Sequence, residues 1–222
     1  FNNNKPEDAY LKIGNALVTL ANSGASSAPI ISEFSKRIAG TVGSFGLSAG
    51  QILGVSATLE ELGTTAYRGA SGFSRVISEI TKQPEAFSAA LKITDDKVKQ
   101  FTGSTLSFTE LVNKDLYGAF TLVLNRIREM NLSVTDQAQV FDALKINGQS
   151  ETEVLNKLQV AQDLLAKRVG IGTQALTEQS SIIDAITKKN QNLAGELQQL
   201  GNNLQEAFIS SGLQHWLTTI IG

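Results

Sequence analysis

The residue types that most often carry out chemistry in proteins are scarce in this sequence. The chain has no cysteine and a single histidine among 222 residues. Without cysteine there is no disulfide, no thiolate nucleophile and no cysteine-bearing zinc site. His215 stands beside Trp216 in an apolar stretch, with no second histidine for a metal and no nucleophile at helical spacing. We expect His215 at the surface or the edge of the core, and we predict no catalytic residue, no metal site, no cofactor and no enzymatic activity.

The segment from Gly170 to Ala175 has the glycine spacing of a dinucleotide-binding loop. Such a loop needs a strand before it, so that the backbone can approach the pyrophosphate. Here a helical pattern that ends in Lys167 and Arg168 precedes the glycines. We therefore interpret the segment as a glycine hinge between two helices.

Two pairs of adjacent acidic residues, Glu60-Glu61 and Asp95-Asp96, have the composition of an acid and base pair. Adjacent side chains on a helix point in different directions and make poor partners for proton transfer. We interpret both pairs as solvated charge.

Arg68 and Arg75 stand two turns apart on the polar face of a predicted helix. Two arginines at this spacing could dock an acidic partner, and we name them as a candidate interaction face. The alternative is an ordinary exposed helix face. The sequence offers no further candidate for a binding site.

Composition limits the classes of function that remain. Hydrophobic residues make up 41% of the chain, which is enough to bury a core. The net charge is −2, without a basic stripe to neutralise phosphates, so we predict no nucleic-acid site. No apolar run approaches the ~20 residues that span a bilayer. Because the chain begins at Phe1 without a leader and ends on the apolar face from Leu213 to Ile221, we expect a piece of a longer protein.

The first part of the chain predicts four helices from their start signals, stop signals and apolar spacing. Pro6 and Pro29 suit the first positions of two helices, and Ser48 with Gln51 has the spacing of a capping box at the start of the third. Gly46 and Gly63 predict the ends of the second and third helices. The expected apolar stripe of the second helix is Ile31, Phe34, Ile38, Val42 and Phe45; that of the third is Ile52, Val55, Leu59 and Leu62; that of the fourth is Ala66, Ala70, Phe73, Ile77 and Ile80.

Beyond Thr81 we expect short helices, followed by one of about 22 residues that a capping box of Ser107 and Glu110 begins. Its expected apolar stripe is Val112, Leu116, Phe120, Val123, Ile127 and Met130. Ser133 should cap the next helix, and a second box of Ser150 and Glu153 should start a helix with a buried face of Val154, Leu158, Ala161 and Leu165. From Leu176 the apolar spacing approaches a heptad. The predicted fold is all-α, a multi-helix orthogonal or bundle-like array with a longer amphipathic, heptad-like C-terminal helix. We divide it into an N-terminal helical subdomain (1–92), a second helical subdomain (93–170) and a long amphipathic segment (171–222).

Several glycines fall inside these helical patterns, where each costs roughly 1 kcal/mol relative to alanine. Close approach of two helices would explain that cost. Gly50 and Gly54 have the spacing that lets two backbones approach. The glycines inside these helical patterns are Gly14, Gly40, Gly43, Gly54, Gly69 and Gly72.

The stretch from Ala28 to Ile80 resembles the N-terminal helical region of tape-measure proteins from long-tailed bacteriophages. The resemblance rests on Arg37, Gly46-Leu47-Ser48, Leu59, Leu62-Gly63 and Ser71-Gly72-Phe73-Ser74-Arg75, and it continues through Pro84-Glu85-Ala86-Phe87-Ser88, Leu144-Lys145-Ile146-Asn147-Gly148, Val154, Leu158 and Ala175-Leu176-Thr177-Glu178.

The resemblance implies a structural protein that sets tail length and guides assembly of the tail tube. It implies tail-tube proteins, tail-assembly proteins and tail-assembly chaperones as partners, self-association in the tail, and late membrane contact by the parent chain. The implied locations are the tail lumen of the virion and the host cytoplasm during assembly. Two other readings stay open: a helical protein–protein interaction module, such as a scaffold or adaptor, and a membrane-active helical domain.

Overall fold

The computed structural model describes residues 6–177, and in this part of the chain the regular structure is entirely helical. The all-α prediction is confirmed. The helices are α1 (Pro6–Asn22), α2 (Ala28–Val42), α3 (Ala49–Glu61), α4 (Ala66–Lys82), α5 (Pro84–Ala90), α6 (Asp95–Thr102), α7 (Phe108–Lys114), α8 (Leu116–Met130), α9 (Val134–Ala143), α10 (Gln149–Val160) and α11 (Gln162–Thr177), with a 3-10 turn at Gly43–Phe45.

The predicted start of α2 and the predicted start and stop of α3 are confirmed, whereas α2 ends at Val42 and Gly46 ends the 3-10 turn that follows it. The Ser48 N–H donates to the Gln51 side chain at 2.8 Å, and the Gln51 N–H donates to the Ser48 hydroxyl at 3.3 Å, which completes the capping box. Gly46 at φ +91° and Gly63 at φ +69° take the left-handed backbone that glycine adopts without steric cost. These two turns send α2, α3 and α4 back across one another.

The apolar stripes predicted for these helices face the interior. Four members of the α2 stripe are fully buried, while Phe45 lies in the 3-10 turn and is only partly buried. The Phe73 ring of α4 meets the Phe120 ring of α8 edge to face, with centroids 5.2 Å apart. One large core therefore joins α2, α3 and α4 to α8. A smaller cluster lies between α1, α3 and α11.

The predicted helix of about 22 residues after Ser107 is two helices, α7 and α8. The Ser107 and Glu110 box starts α7 as expected, but Asp115 leaves helical geometry at φ −146° and ψ 84°. The Asp115 carboxylate accepts a hydrogen bond from the Gly118 N–H at 2.9 Å, so this residue caps α8. A Cβ atom at position 118 would overlap that carboxylate. The apolar stripe was predicted correctly, and the aspartate N-cap within it was missed.

The helix predicted through Ala161 is also broken. Residue 161 has φ −106° and ψ 30°, so α10 ends at Val160 and α11 starts at Gln162. The predicted capping box of Ser150 and Glu153 is wrong as well. The helix starts two residues earlier, with Gly148 as its N-cap and no side-chain cap, and the carboxylate of Glu153 binds Lys157 and Arg68 instead.

The glycine hinge predicted at 170–172 is wrong, because α11 runs through it without interruption. A Cβ atom at Gly172 would lie 2.9 Å from the Gly50 carbonyl oxygen, and one at Gly50 would lie 2.7 Å from the Thr173 Cα atom. A Cβ atom at Gly54 would overlap the backbone of Val169. Glycine therefore serves here to bring α3 and α11 into backbone contact.

The packing reason expected for the glycines holds at Gly54, Gly69 and Gly72, where an added Cβ would overlap a neighbour, but not at Gly40, where it would meet nothing within 4 Å. The heptad-like pattern after Thr177, the Leu213 to Ile221 face and His215 lie outside the described residues. The division at 92 and 170 stays a prediction.

Candidate functional site

The two arginines proposed as an interaction face lie on α4 opposite acidic residues of α10. The Arg68 guanidinium is 2.8 Å from the Glu153 carboxylate, and the Arg75 guanidinium is 3.5 Å from the Glu151 carboxylate. Their side chains remain 41% and 65% exposed. The acidic groups that these arginines contact thus belong to the same chain, and their role toward an external partner stays a prediction.

Close contact between α4 and α10 lets these charges meet. A Cβ atom at Gly72 would overlap the carbonyl of Ser150, so glycine brings the start of α10 against α4. The Lys157 ammonium donates to the Thr64 hydroxyl at 3.0 Å and to Glu153 at 2.9 Å. The hydrogen bond from Lys157, reinforced by the charges of Lys157 and Arg68, lowers the pKa of Glu153. This α4–α10 cluster is a half-exposed polar strip that aligns two helices.

The most deeply buried charge pair joins α11 to α3. Arg168 is 3% exposed, and its guanidinium meets the Glu61 carboxylate side-on, with Nε 2.5 Å from Oε1 and Nη2 2.9 Å from Oε2. Its Nη1 donates to the carbonyl and to the hydroxyl of Ser23, both at 2.7 Å. One side chain of α11 therefore binds the last residue of α3 and the turn that follows α1. We call this group the Arg168 clamp.

The turn at Gly24 leaves room for the clamp. A Cβ atom on Gly24 would overlap the Arg168 guanidinium and come close to the Glu61 carboxylate. The pair consists of one hydrogen bond, from Arg168 Nη2 to Glu61 Oε2, and one close ionic contact between Nε and Oε1 that lacks hydrogen-bond geometry. Removal of either partner leaves an uncompensated buried charge. The clamp therefore makes the position of α11 sensitive to single changes at either charged residue.

Glu60 also serves a structural role, as a cap that α3 supplies to α2. Its carboxylate accepts hydrogen bonds from the N–H and the hydroxyl of Ser27, at 2.9 and 3.0 Å. Ser27 is the N-cap of α2 and makes no side-chain cap of its own. The interpretation of Glu60-Glu61 as solvated charge is therefore wrong, while Asp95-Asp96 is exposed as expected.

A third polar cluster ties α8 to the segment after α5. Arg126 is 9% exposed, and its Nε donates to the Leu91 carbonyl oxygen at 3.2 Å. Its guanidinium also binds the Glu129 carboxylate, which lies 3.7 Å from the Lys97 ammonium. The hydrogen bond from Arg126 is the main cause that lowers the pKa of Glu129. This arrangement, like the others, connects helices.

The clamp could not be predicted from the sequence, because Glu61 and Ser23 are 107 and 145 positions away from Arg168. No local pattern marks a pair of that kind. The Asn15 amide, which donates to the Ala175 carbonyl at 2.7 Å, is a second such link between α1 and α11.

Within residues 6–177 no three histidine, cysteine, aspartate or glutamate side chains are grouped as ligands of a metal ion. None of the helices in this part of the chain combines the length and the apolar character needed to cross a bilayer. No protein family, curated protein or solved structure matches the chain. The geometry of residues 6–177 is that of a helical scaffold whose buried and half-buried charges join its own helices.

Proposed function

We propose that this chain is part of a phage tail tape-measure protein, a structural protein that sets tail length and guides assembly of the tail tube. The proposal is carried by the stretch from Ala28 to Ile80, whose sequence resembles that family. Its supporting structural feature is the succession of α2, α3 and α4, separated by Gly46 and Gly63 at positive φ. The partners in this proposal are tail-tube and tail-assembly proteins, their chaperones and further copies of the chain.

The described helices suit a structural role better than a chemical one. Several of their charged side chains make contacts between helices, as in the Arg168 clamp and the α4–α10 cluster. An extended helix advances about 1.5 Å per residue, so residue number can encode a length. A folded helical unit of this kind would be a terminal part of such a protein, and an extended helical region elsewhere in the parent chain would act as the ruler.

Deletion of the reading frame in the phage or lysogen that carries it tests the proposal. Electron microscopy of the particles should then show heads without normal tails. A matched in-frame deletion of about 100 residues from an extended helical region of the parent chain should shorten the tail by about 150 Å. Tails of unchanged number and length in both mutants would overturn the proposal.

Two other functions would give different results. A scaffold or adaptor outside the tail would leave particles intact and would copurify with proteins unrelated to tails. A membrane-active domain would release dye from lipid vesicles at low protein concentration. Either result, together with normal tails, would replace the proposal.

A further inference from the structure

The break between α10 and α11 is a single residue wide. Ala161 alone departs from helical geometry, at φ −106° and ψ 30°. Hydrogen bonds of the helical type run through it: its N–H donates to the Lys157 carbonyl at 3.2 Å, and its carbonyl accepts from the Leu165 N–H at 2.9 Å. The Gln162 side chain donates to the Gln159 carbonyl at 3.0 Å, at the point where the main-chain ladder is interrupted.

The local sequence favours a straight helix at this point. Alanine has the highest helix propensity of all residues. The segment 159–164 has neither glycine nor proline, the residues that usually interrupt a helix. The cause of the bend therefore lies outside the segment.

The contacts of α11 with α3 and α1 supply that cause. Gly50 and Gly54 on α3 form a groove, which we call the α3 groove, and the backbone of α11 lies in it at Gly172. The Arg168 clamp fixes the same helix to the end of α3. Gly72 brings the start of α10 against α4, so the two helices dock on different elements of the chain.

We propose that α11 exchanges between two copies of the chain, so that α10 and α11 join into one straight helix and α11 enters the α3 groove of the second copy. A single helix from Gln149 to Thr177 would be about 43 Å long, which carries α11 away from its own α3. The groove accepts this occupant because the second copy presents the same sequence. This inference does not depend on the proposed function.

The exchange keeps the contacts between α11 and α3 and replaces the bend with regular helix. Its cost is the association of two chains, so the exchanged dimer forms at high concentration. Short connections between exchanging elements favour this type of dimer.

Charge reversal at the clamp tests the exchange on the full 222-residue chain. One variant carries Glu61→Arg and the other carries Arg168→Glu. Alone, each chain places two like charges at its own buried clamp, whether as a monomer or as an exchanged homodimer. In an exchanged heterodimer both clamps hold opposite charges. The two variants, denatured, mixed and refolded together, should therefore form a 1:1 heterodimer, which native mass spectrometry identifies by mass.

The double variant Glu61→Arg/Arg168→Glu is the control, since it restores opposite charges within one chain. It should show no preference for a heterodimer with either single variant. We expect the mixture to contain at least ten-fold more heterodimer than either variant alone contains homodimer. If the mixture contains only the species that each variant forms alone, folded or unfolded, the exchange does not occur.

A second pair of variants distinguishes an effect at the break from a general loss of helix stability. Ala161→Gly weakens a continuous helix, while Ala138→Gly places the same change at an exposed position of α9. With two chains per dimer, Ala161→Gly should raise the dissociation constant of the dimer about 30-fold, the equivalent of about 2 kcal/mol. Ala138→Gly should leave it unchanged. Equal dissociation constants for the two variants, measured by sedimentation, would overturn the proposal.

Discussion

Helices break twice inside apolar stripes that the sequence presents as continuous, once at Asp115 and once at Ala161. At Asp115 the break has a local cause: the Asp115 carboxylate accepts a hydrogen bond from the Gly118 N–H, and the absence of a side chain at position 118 leaves room for that carboxylate. At Ala161 the local residues favour a helix, and we attribute the break to the contacts that hold α11 against α3. A helix boundary can thus arise from the chain segment itself or from a docking site distant in sequence. Only the first kind can be read from neighbouring residues.

We expect the largest loss of stability when the Arg168 clamp, which holds α11 on α3, is removed. Arg168→Met should lower the free energy of unfolding by about 3–5 kcal/mol, because the buried Glu61 carboxylate loses its only described cationic partner. Urea denaturation measures the change. The double variant Arg168→Met/Glu61→Gln should recover part of the loss. A loss below about 1 kcal/mol for the single variant would show that the clamp does not hold α11.

Leu59→Ala tests the opposite side of α3. Leu59 is 0% exposed and belongs to the large core rather than to the α3 groove. Its truncation should cost about 2–5 kcal/mol by leaving a cavity. Leu62→Ala, at a partly buried position of the same stripe, is the matched control and should cost less. Equal denaturation midpoints for Leu59→Ala and the parent chain would contradict the assignment of this face.

Much of the fold was predictable because its causes are local. The capping residue Ser48, the glycine turns and the apolar spacing predicted the helices through α4 and their buried faces, and Ser107 predicted the start of α7. The Asp115 cap was also local, in an aspartate three residues before Gly118, and it was missed because the apolar stripe runs through it. The pairing of Arg168 with Glu61 could not be predicted, because the spacing between them matches no helical period and no sequence motif. Only the folded chain brings the two residues together.

Asp115→Ala tests whether the other break is local. Removal of the cap should cost about 1 kcal/mol, whereas Asp115→Asn, which keeps an acceptor for the Gly118 N–H, should cost much less. Thermal or urea unfolding of both variants measures the difference. Equal losses for alanine and asparagine would mean that the negative charge, or a distant contact, sets this boundary instead.

The smallest effect is expected at the exposed edge of the α4–α10 cluster. Arg75→Ala should change the free energy of unfolding by less than about 0.5 kcal/mol, because the side chain is 65% exposed and 3.5 Å from Glu151. Arg68→Ala should cost slightly more, since its ion pair is shorter and less exposed. Urea denaturation of the two variants side by side gives the order. A larger loss for Arg75→Ala would reverse the ranking of the two contacts.

NMR of two peptides tests whether the break at Ala161 originates outside its own segment. One peptide spans 149–177 and the other spans 107–131, each free of the rest of the chain and in the same helix-promoting solvent. We predict helical Cα chemical shifts and contacts between residues i and i+3 that continue through Ala161 in the first peptide, and an interruption at Asp115 in the second. An interruption at Ala161 as clear as the one at Asp115 would show that the break at Ala161 has a local cause. It would contradict an origin in the contacts of α11 with α3.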